Sequence, residues 1–411
     1  MSPKDLRPNL ADTAGAAINK KPAVGDDILL ERYTDNTEAH KYVNKPSELA
    51  SEDKARMLES GVILDDLKER SGTYIQMDNH PVHFSAQQDG IEIMSTSEAA
   101  KKYDWLKDYW WKAVSVDADK YTAHVELNQA DGYFIRALPG VKTEFPVQSC
   151  MYMAKNQSIQ NVHNIIIAEE GSELHIITGC TSAHRTETGL HLGVTEFYIK
   201  KGAKVTFTMI HTWSPDIAVR PRTGAIVEEN GVFLSNYVIM KTVKNLQSYP
   251  VAYLNGENAV ARFNSVMVCP PGSKMDVGSR VFLNAKHTRT ELITRALTTG
   301  GEIISRGYIE GKVPDCKGHL ECRGLILGDK GIIYAIPELM GRVSGVDLSH
   351  EAAVGKIAEE EVEYLMARGL NKDEATAAIV RGFLNVDIEG LPPLLKEEMD
   401  KAIKLGDQEG M

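Results

Sequence analysis

The stretch KKGAKVTFTMI, residues 200–210, joins a glycine turn to a short segment that alternates in polarity. Polar and apolar residues alternate from Lys204 to Met209, so a strand here would turn one face to a core and the other to solvent. Gly202 follows two lysines, and glycine between a polar pair and a β-rich run is a turn signal. The stretch therefore predicts a strand that begins directly after a tight turn.

The same pattern recurs along the chain. The glycines that follow a turn-like pair are Gly140, Gly171, Gly202, Gly231, Gly272, Gly301 and Gly331. They are separated by 31, 31, 29, 41, 29 and 30 residues, with no long helical pattern between them. Short β-rich repeats of nearly constant length predict coils that stack as a solenoid. We interpret residues 76–345 as a parallel β-helix, in which the 41-residue step would hold an inserted loop. The alternative is a β-sandwich whose turns are evenly spaced by coincidence.

Helical patterns precede the repeats. Residues 1–75 contain KPSELASEDKARMLESGVI, in which Ser47 is the expected N-cap of a helix and Gly61 its expected end. We therefore predict an N-terminal helical region over residues 1–75.

Three amphipathic helices are expected after the repeats, over residues 346–411. The first would be capped by Ser349, the second would lie in KDEATAAIVRGFL, and the third would open at Pro392 and Pro393. Helices at this position can cover the edge of the solenoid and can also offer a docking surface to another protein.

Composition limits the class of protein. The chain has 411 residues, of which 43% are hydrophobic and 25% charged, an ordinary globular balance. Its net charge of −11 argues against a general affinity for nucleic acid or anionic membranes. We find no leader-like apolar segment and no run of about 18 apolar residues, so we expect a cytosolic protein that does not enter a membrane. Five cysteines in so long a chain argue against a secreted disulfide framework.

Several common motifs are missing from the sequence. There is no GxxxxGK[ST] phosphate loop and no GxGxxG, so neither common route to nucleotide binding is available. The segment HEAAV, residues 350–354, begins like a zinc protease motif, but Val354 stands where the second histidine is required. The chain is therefore not expected to hydrolyse ATP by itself.

Residues 316–324, CKGHLECRG, place His319 between the thiols of Cys316 and Cys322. Five intervening residues exceed the spacing of most zinc knuckles, and no second cysteine pair accompanies them. Soft thiolates beside an imidazole and a carboxylate suit iron or an iron–sulfur cluster. The alternative is that Cys322 is a small buried residue on a strand and Cys316 an idle loop thiol.

Four motifs together carry a family resemblance. They are GCTSAHRTETGLHLGVTEF (179–197), MIHTWSP (209–215), GHLECRGLILGD (318–329) and LSHEAAVGKIAEEEVEYLMARGLNKDEATAAIVRGF (348–383). Over about residues 130–390 the chain resembles the SufB/SufD family of iron–sulfur cluster assembly scaffolds, and it is most similar to the minimal archaeal type. The resemblance implies a right-handed β-helix flanked by helices, and a SufC-type ABC ATPase that docks on the C-terminal helices.

The resemblance also implies roles for individual residues. Cys180 in TGCTS matches the SufB cysteine that receives sulfur from a sulfur donor, and Cys322 in LECRG matches the cysteine associated with the transient cluster. Glu351 matches an acidic SufB residue, whereas His350 matches the SufD histidine at the subunit interface. One chain therefore unites features of both proteins, which predicts a homodimer. Cys316 and His319 have no firm counterpart in the larger scaffolds and are further ligand candidates.

The spacing of the two matched cysteines limits how they can cooperate. Cys180 and Cys322 are 142 residues apart, which is about five repeats. If coils stack at about 4.8 Å, the thiols lie on the order of 24 Å apart and cannot hold one cluster within a chain. We expect sulfur to travel from Cys180 along the solenoid to a site near Cys322. Two other functions stay open at this point: a β-helical carbohydrate-active enzyme, and a purely structural assembly module.

Overall fold

The computed structural model describes residues 9–35, 39–64, 69–128 and 131–384. It confirms the predicted β-helix: the chain winds through about eight turns of a parallel solenoid, with helices at both ends. The third C-terminal helix, expected at Pro392 and Pro393, lies outside the described residues. No helix in the described ranges is both long and apolar enough to cross a membrane.

Two sheets form the walls of the solenoid. In the described part of the chain, sheet A contains β1 (Thr34–Asp35), β4 (Ile91–Ser95), β5 (Tyr133–Ala137), β7 (Ser158–Ala168), β9 (Thr188–Ile199), β11 (Asp216–Val219), β12 (Arg222–Val227), β14 (Asn245–Ser248), β15 (Val251–Leu254), β17 (Lys274–Leu283), β19 (Glu302–Gly311) and β21 (Ile332–Gly341). Sheet B contains β2 (Gly72–Met77), β3 (His80–Ala86), β6 (Val147–Met153), β8 (Glu173–Ser182), β10 (Lys204–Thr212), β13 (Val232–Ile239), β16 (Val260–Cys269), β18 (Arg289–Thr298), β20 (Lys317–Ile326) and β22 (Asp347–Gly355).

Apart from β3, which pairs with β2 in antiparallel orientation, the strands of sheet B stack in parallel. Lys204 pairs with Val232, Val232 with Val260, and Val260 with Arg289, which are steps of 28, 28 and 29 residues. Because each coil repeats the inward and outward alternation of the one before, equivalent side chains form columns along the axis. The inward columns fill the interior, which we call the lumen.

One corner of the coil explains the glycine spacing. Just before sheet B, each turn carries a residue with positive φ, and these residues are Gly140, Gly171, Gly202, Asn230, Asn258, His287, Asp315 and Gly345. Gly272, Gly301 and Gly331 instead precede strands of sheet A. The inserted loop expected at the 41-residue step is therefore wrong, because the step marks a change from one corner to another. Asn, Asp and His tolerate the left-handed region better than other side chains do, so the corner continues without glycine.

The described helices are α1 (Leu10–Ala17), α2 (Ser51–Glu59), α3 (Thr96–Lys102), α4 (Lys120–Asn128), α5 (Glu359–Met366) and α6 (Lys372–Leu384). Helix α2 begins four residues after Ser47, because Leu49 and Ala50 are extended and separate it from a short 3₁₀ turn. The chain reverses at Gly61, whose φ is 82°, as expected.

The helix expected to begin at Ser349 is wrong in its first half. Residues 347–355 form β22, which pairs with β20 in parallel, and α5 begins only at Glu359. The ladder of backbone hydrogen bonds to β20 overrides the local helix signal at this edge. Helix α6 is confirmed, and it packs on the outside of sheet B through Val380 and Leu384. The division of the chain at residues 75 and 345 stays a prediction.

Candidate functional site

Cys180 and Cys322 both face the lumen. Cys180 on β8 is 1% exposed and Cys322 on β20 is 3% exposed, and both belong to the continuous apolar core of the solenoid. Burial raises the pKa of both thiols, and for Cys180 the neighbouring Cys150 adds to the effect. Each thiol is therefore protonated at rest, because nothing in its surroundings stabilises a thiolate strongly.

The register of sheet B measures the gap between the two cysteines. The column that begins at Cys180 continues through His211, Ile239, Met267, Ala296 and Gly324. Gly324 lies two residues beyond Cys322 on the same strand, so five strand steps separate the cysteines. At about 4.8 Å per step the separation along the axis is about 24 Å. The distance inferred from the repeat length therefore agrees with the stacking of the coils.

Polar side chains occupy the lumen between the two thiols. The adjacent column runs from Thr178 through Met209, Tyr237, Ser265 and Thr294 to Cys322. A small cavity of about 30 Å³ lies along this path, and its polar lining includes Thr223, Ser235, Tyr237, Ser248, Ser265 and Ser279. At the far end, the Ser305 hydroxyl donates to Cys322 Sγ at 3.5 Å. The solenoid interior thus holds a small hydroxyl-lined cavity within its otherwise apolar core.

Aromatic and imidazole groups surround the Cys180 end of the lumen. His211 lies beside Cys180 on β10, and the rings of His191 and Trp213 pack against it at centroid distances of 6.5 and 5.6 Å. Burial lowers the pKa of His191 to about 3 and holds that of His211 well below its ordinary value, with His191 adding to the shift of His211. Both imidazoles are neutral at physiological pH.

Gly179, the residue before Cys180, lies on the outer face of sheet B. A side-chain carbon on Gly179 would lie 2.3 Å from Ser60 Oγ and 2.7 Å from Val62 Cγ2. The absence of a side chain at Gly179 therefore allows the segment after α2 to pack directly behind Cys180. Arg56 on α2 adds to this contact, since its guanidinium donates to the carbonyl oxygens of Ser182 and Thr212.

A groove on the surface leads toward the Cys180 end. Its lining includes Arg56, His184, Trp213, Lys241 and Pro270. Trp213, which is 3% exposed, separates this groove from His191 and His211 inside the lumen.

The structure separates Cys316 from Cys322. Cys316 is fully buried at the corner before β20, where its thiol donates to the carbonyl of Val313 at 3.1 Å. Cys322 lies six residue steps beyond Cys316 along extended backbone, which corresponds to about 20 Å. Within one chain the two thiols cannot ligate one cluster, although they are close in the sequence.

The remaining predicted ligands lie on the last coil and on both faces of sheet B. His350 pairs with Leu320, so it shares the inward face with Cys322, but it is exposed because no further coil covers it. Glu351 and His319 are on the outward face. Arg323 forms an ion pair with Glu351 at 3.0 Å, and His319 Nδ1 lies 2.8 Å from Ser349 Oγ. Among the described residues no three His, Cys, Asp or Glu side chains are arranged to hold a metal ion.

Comparison with known proteins gives the family. The family model described as "SUF system FeS cluster assembly, SufBD core domain" matches residues 151–383. The chain belongs to the SufBD family. An iron–sulfur cluster assembly SufBD family protein of Methanothermobacter thermautotrophicus is 47% identical over 398 residues, covering 95% of this chain and 97% of the relative. That of Archaeoglobus fulgidus is 51% identical over 357 residues, covering 87% and 96%.

More distant SufBD relatives extend the match into bacteria. The iron–sulfur cluster assembly protein SufB of Bacillus subtilis is 28% identical over 402 residues, covering 93% of this chain and 85% of the relative. Membership of the SufBD family supports a role in iron–sulfur cluster assembly, and it confirms the resemblance carried by the four motifs.

Sequence reasoning gave no role to three residues beside Cys180. His211 and Trp213 lie in MIHTWSP, which served only as a family motif. Tyr237 lies in a segment for which the sequence predicted only a strand. A signal was present: His211 follows Cys180 by 31 residues, the same interval that separates Gly171 from Gly202. Residues one repeat apart stack on adjacent coils, so this interval predicts the contact.

Proposed function

We propose that this protein is a scaffold that receives sulfur at Cys180 and assembles an iron–sulfur cluster beside Cys322. The observation that carries the proposal is that both cysteines face one lumen, five coils apart, with a hydroxyl-lined cavity between them. A gap of about 24 Å excludes joint ligation of one cluster within a chain. It is compatible with two separate steps, delivery of sulfur at one end and cluster assembly at the other.

The chemistry of the lumen supports passage of sulfur. Reduced sulfur species are anionic or strongly polarisable, and an apolar interior would exclude them. The side chains of Thr178, Tyr237, Ser265, Thr294 and Ser305 supply hydroxyl donors along the route from Cys180 to Cys322. Hydroxyl groups can rotate to follow a moving acceptor, since their hydrogen is not fixed.

The end of the solenoid supports a cluster site near Cys322. Cys322 is one strand from the open end, where it pairs with Ala352, and His350 lies on the same inward face. Cys322 is the thiolate ligand in this proposal, and His350 is a second candidate. Cys316, Glu351 and His319 lie too far away or on the other face, so in this proposal they contribute only from a second chain.

A homodimer would complete the open end. The apolar side chains that the last coil exposes are Ile332, Tyr334, Ile336, Leu339, Met340, Val343 and Val354, each at least 36% exposed. In the described part of the chain β21 pairs only with β19 and β22 only with β20, so both leave an edge without a partner. An exposed apolar edge of this length is a template for association. We propose a second copy as the partner, related by a two-fold axis.

We propose that a SufC-type ABC ATPase docks on the C-terminal helices and supplies ATP hydrolysis. Val380 and Leu384 anchor α6 on sheet B, whereas Tyr364 and Met366 on α5 are 56% and 44% exposed. Exposed large side chains on a helix that packs weakly on its own chain suit a protein partner. A reducing cytoplasm is the proposed compartment, because the chemistry requires free thiols.

Anaerobic reconstitution tests the proposal. The full chain is treated with ferrous iron and either free sulfide or a sulfur-donor enzyme, and the absorption spectrum is recorded. Cys322→Ser should remove most of the cluster absorbance with either sulfur source. Cys180→Ser should reconstitute normally from sulfide but fail with the donor enzyme. Cys269→Ser is the matched control, because Cys269 is equally buried but bonds at a corner to Ser273 and Glu302 carbonyls. Full cluster absorbance in Cys322→Ser would refute the cluster site.

The alternative function, a β-helical carbohydrate-active enzyme, has less support than the scaffold. The carboxylates that might serve it are engaged: Glu196 is fully buried and accepts from His163 at 2.9 Å, and Asp276 is paired with Arg306 at 2.5 Å. Glu321 and Glu351 are in register on the outside of sheet B, but Arg323 binds both. Among the described residues of β20 and β22, the register therefore brings no two unpaired carboxylates together.

A further inference from the structure

His211 is an ionisable residue beside Cys180 in the lumen. The two residues are partners in the register of β8 and β10, so their side chains project from adjacent strands on the same inward face. Neighbouring strands lie about 4.8 Å apart, and side chains in register are in contact distance across that spacing. Both residues are 1% exposed, so no bulk water separates them.

The imidazole of His211 is oriented by its other nitrogen. His211 Nδ1 lies 2.8 Å from the hydroxyl of Tyr237 on β13, and the two rings meet edge to face at a centroid distance of 5.0 Å. His211 Nε2 is buried and has no hydrogen-bond partner among the described residues. A buried ring nitrogen without a partner is rare, since leaving it unsatisfied costs about 1–3 kcal/mol. This nitrogen is therefore available to a group that arrives during function.

Cys180 has a chemical requirement that this nitrogen can meet. Only the thiolate is a competent nucleophile, and the Cys180 thiol is protonated because it is buried. Its titratable neighbours among the described residues include Cys150, Tyr133 and Tyr237, which are neutral or acidic groups rather than cations. A neutral imidazole in register is the arrangement that activates thiols elsewhere.

We propose that His211 Nε2 is the general base that takes the proton of Cys180 as this thiol attacks an incoming persulfide, and that Tyr237 positions the imidazole by accepting a hydrogen bond from Nδ1–H, which leaves Nε2 unprotonated. The inference rests on the proposed function, in which Cys180 receives sulfur. It assigns the activating group and names the substrate class as a persulfide, R–S–SH.

The transfer balances without an added oxidant or reductant. Cys180 Sγ gives its proton to His211 Nε2 and forms a bond to the terminal sulfur of R–S–SH. The S–S bond of the donor breaks, and its electron pair leaves on the donor sulfur as a thiolate. That thiolate takes the proton from His211. The products are Cys180–S–SH and R–SH, and the imidazole is neutral again.

The surroundings suit this proton transfer. The titratable groups that contact or face His211 are Cys180 on β8, His191 on β9 and Tyr237 on β13. His191 is occupied differently, since its Nδ1 lies 2.8 Å from the side-chain oxygen of Gln160. His211 is thus the imidazole that combines register with Cys180 and a free nitrogen. The surface groove approaches this end of the lumen as far as Trp213, which separates it from His211.

The rate of persulfide uptake tests the role of His211. The full chain is mixed with glutathione persulfide under anaerobic conditions, and the mass of the Cys180 peptide is followed over time. His211→Gln keeps similar volume and polarity but cannot accept a proton at neutral pH. It should slow uptake by about 10²-fold or more, the usual contribution of a general base. Its rate should then rise about tenfold per pH unit as solvent takes over deprotonation of the thiol.

Two further variants separate a chemical role from a structural one. Tyr237→Phe removes only a hydroxyl and should slow uptake by a smaller factor, about tenfold, without the steep pH dependence. His191→Gln alters the neighbouring imidazole and should leave the rate within about twofold. Uptake by His211→Gln at the wild-type rate, or equal losses in His211→Gln and His191→Gln, would overturn the proposal.

One more variant distinguishes this inference from the function on which it rests. Cys180→Ser should take up no sulfur at this position. If Cys180→Ser instead supports cluster assembly from a sulfur-donor enzyme, the proposed sulfur acceptor is wrong, whatever His211 does. If Cys180→Ser is inactive while His211→Gln is fully active, the acceptor stands and only the general base is wrong.

Discussion

Cys322 and Glu351 point to opposite faces of sheet B, although their strands are adjacent. Cys322 pairs with Ala352 on the inward face, whereas Glu351 pairs with Glu321 on the outward face. Side chains on opposite faces of one sheet cannot ligate the same iron atom. If both residues serve one cluster, as the family resemblance implies, they must come from different chains.

Glu351→Gln should weaken the hold on the cluster without preventing its formation. The variant should reconstitute to near wild-type absorbance and then lose iron to a chelator about tenfold faster, because a weak oxygen ligand has been lost. Arg323→Gln is the matched control, since it removes the ion-pair partner of Glu351 and leaves the carboxylate in place. Equal rates of iron loss in the two variants would argue that Glu351 acts only through Arg323.

Ile336→Glu should convert a dimer to a monomer. Ile336 is 36% exposed in the centre of β21, among the apolar side chains of the last coil. A charge buried there without a partner should weaken association at least tenfold. Light scattering should report the mass of one chain for Ile336→Glu and of two chains for Phe145→Glu, a 40% exposed position far along the chain. A wild-type chain that is monomeric with and without the ATPase would contradict the proposed dimer.

Removal of residues 356–411 should abolish binding of a SufC-type ATPase. The truncated chain ends at Gly355 so that it keeps the last strand, residues 347–355, which is the proposed dimer edge. Truncation also uncovers Leu297 and Leu325, so a point variant is needed beside it.

Tyr364→Ser combined with Met366→Ser is that variant, and it should weaken ATPase binding more than tenfold in a calorimetric titration. Leu127→Ser, at a comparably exposed position on α4, should bind normally. Full binding by the truncated chain would show that the ATPase docks on another surface.

Acid should destabilise the fold through the buried imidazoles. The pKa of His191 is about 3 in the folded chain, because burial disfavours the cation, and about 6.5 when unfolded. The unfolded chain therefore binds more protons below pH 6.5, and stability is lost as the pH falls from there toward 3. Between pH 7 and pH 5 this residue alone should account for about 2 kcal/mol.

Urea unfolding of the wild type and of His191→Gln at both pH values measures this loss. The wild type should lose about 2 kcal/mol more than the variant between pH 7 and pH 5. Identical losses in the two proteins would mean that His191 takes up its proton as readily in the folded chain as in the unfolded one.

Local sequence signals predicted the repeating architecture, because the alternation of side chains and the turn before each strand recur in every coil. The corner could not be followed from glycine alone: Asn230, Asn258, His287 and Asp315 take the same left-handed conformation there. Composition does not distinguish such residues from ordinary polar ones, so the change from one corner to the other looked like an insertion.

Contacts between distant residues limited the prediction of the site. The cap pattern at Ser349 is a helix signal over a few residues, but pairing with β20 decides the conformation. Cys316 and Cys322 look adjacent in the sequence and are separated by a fully extended strand, whereas Cys180 and His211 look distant and are neighbours. The separation of Cys180 from Cys322 was predictable because it depends only on the number of coils.

The constant pitch of the coils sets the lumen length in discrete units. Each turn adds one layer of about 4.8 Å, so the path from sulfur acceptor to cluster can lengthen or shorten only by gain or loss of a whole turn, which has 28 to 31 residues here. A single residue inserted within a strand would turn its lumen-facing side chains outward. Insertions at the corners leave the path unchanged. Relatives that differ in length should therefore keep the number of turns between the two cysteines, and carry their differences at corners and chain ends.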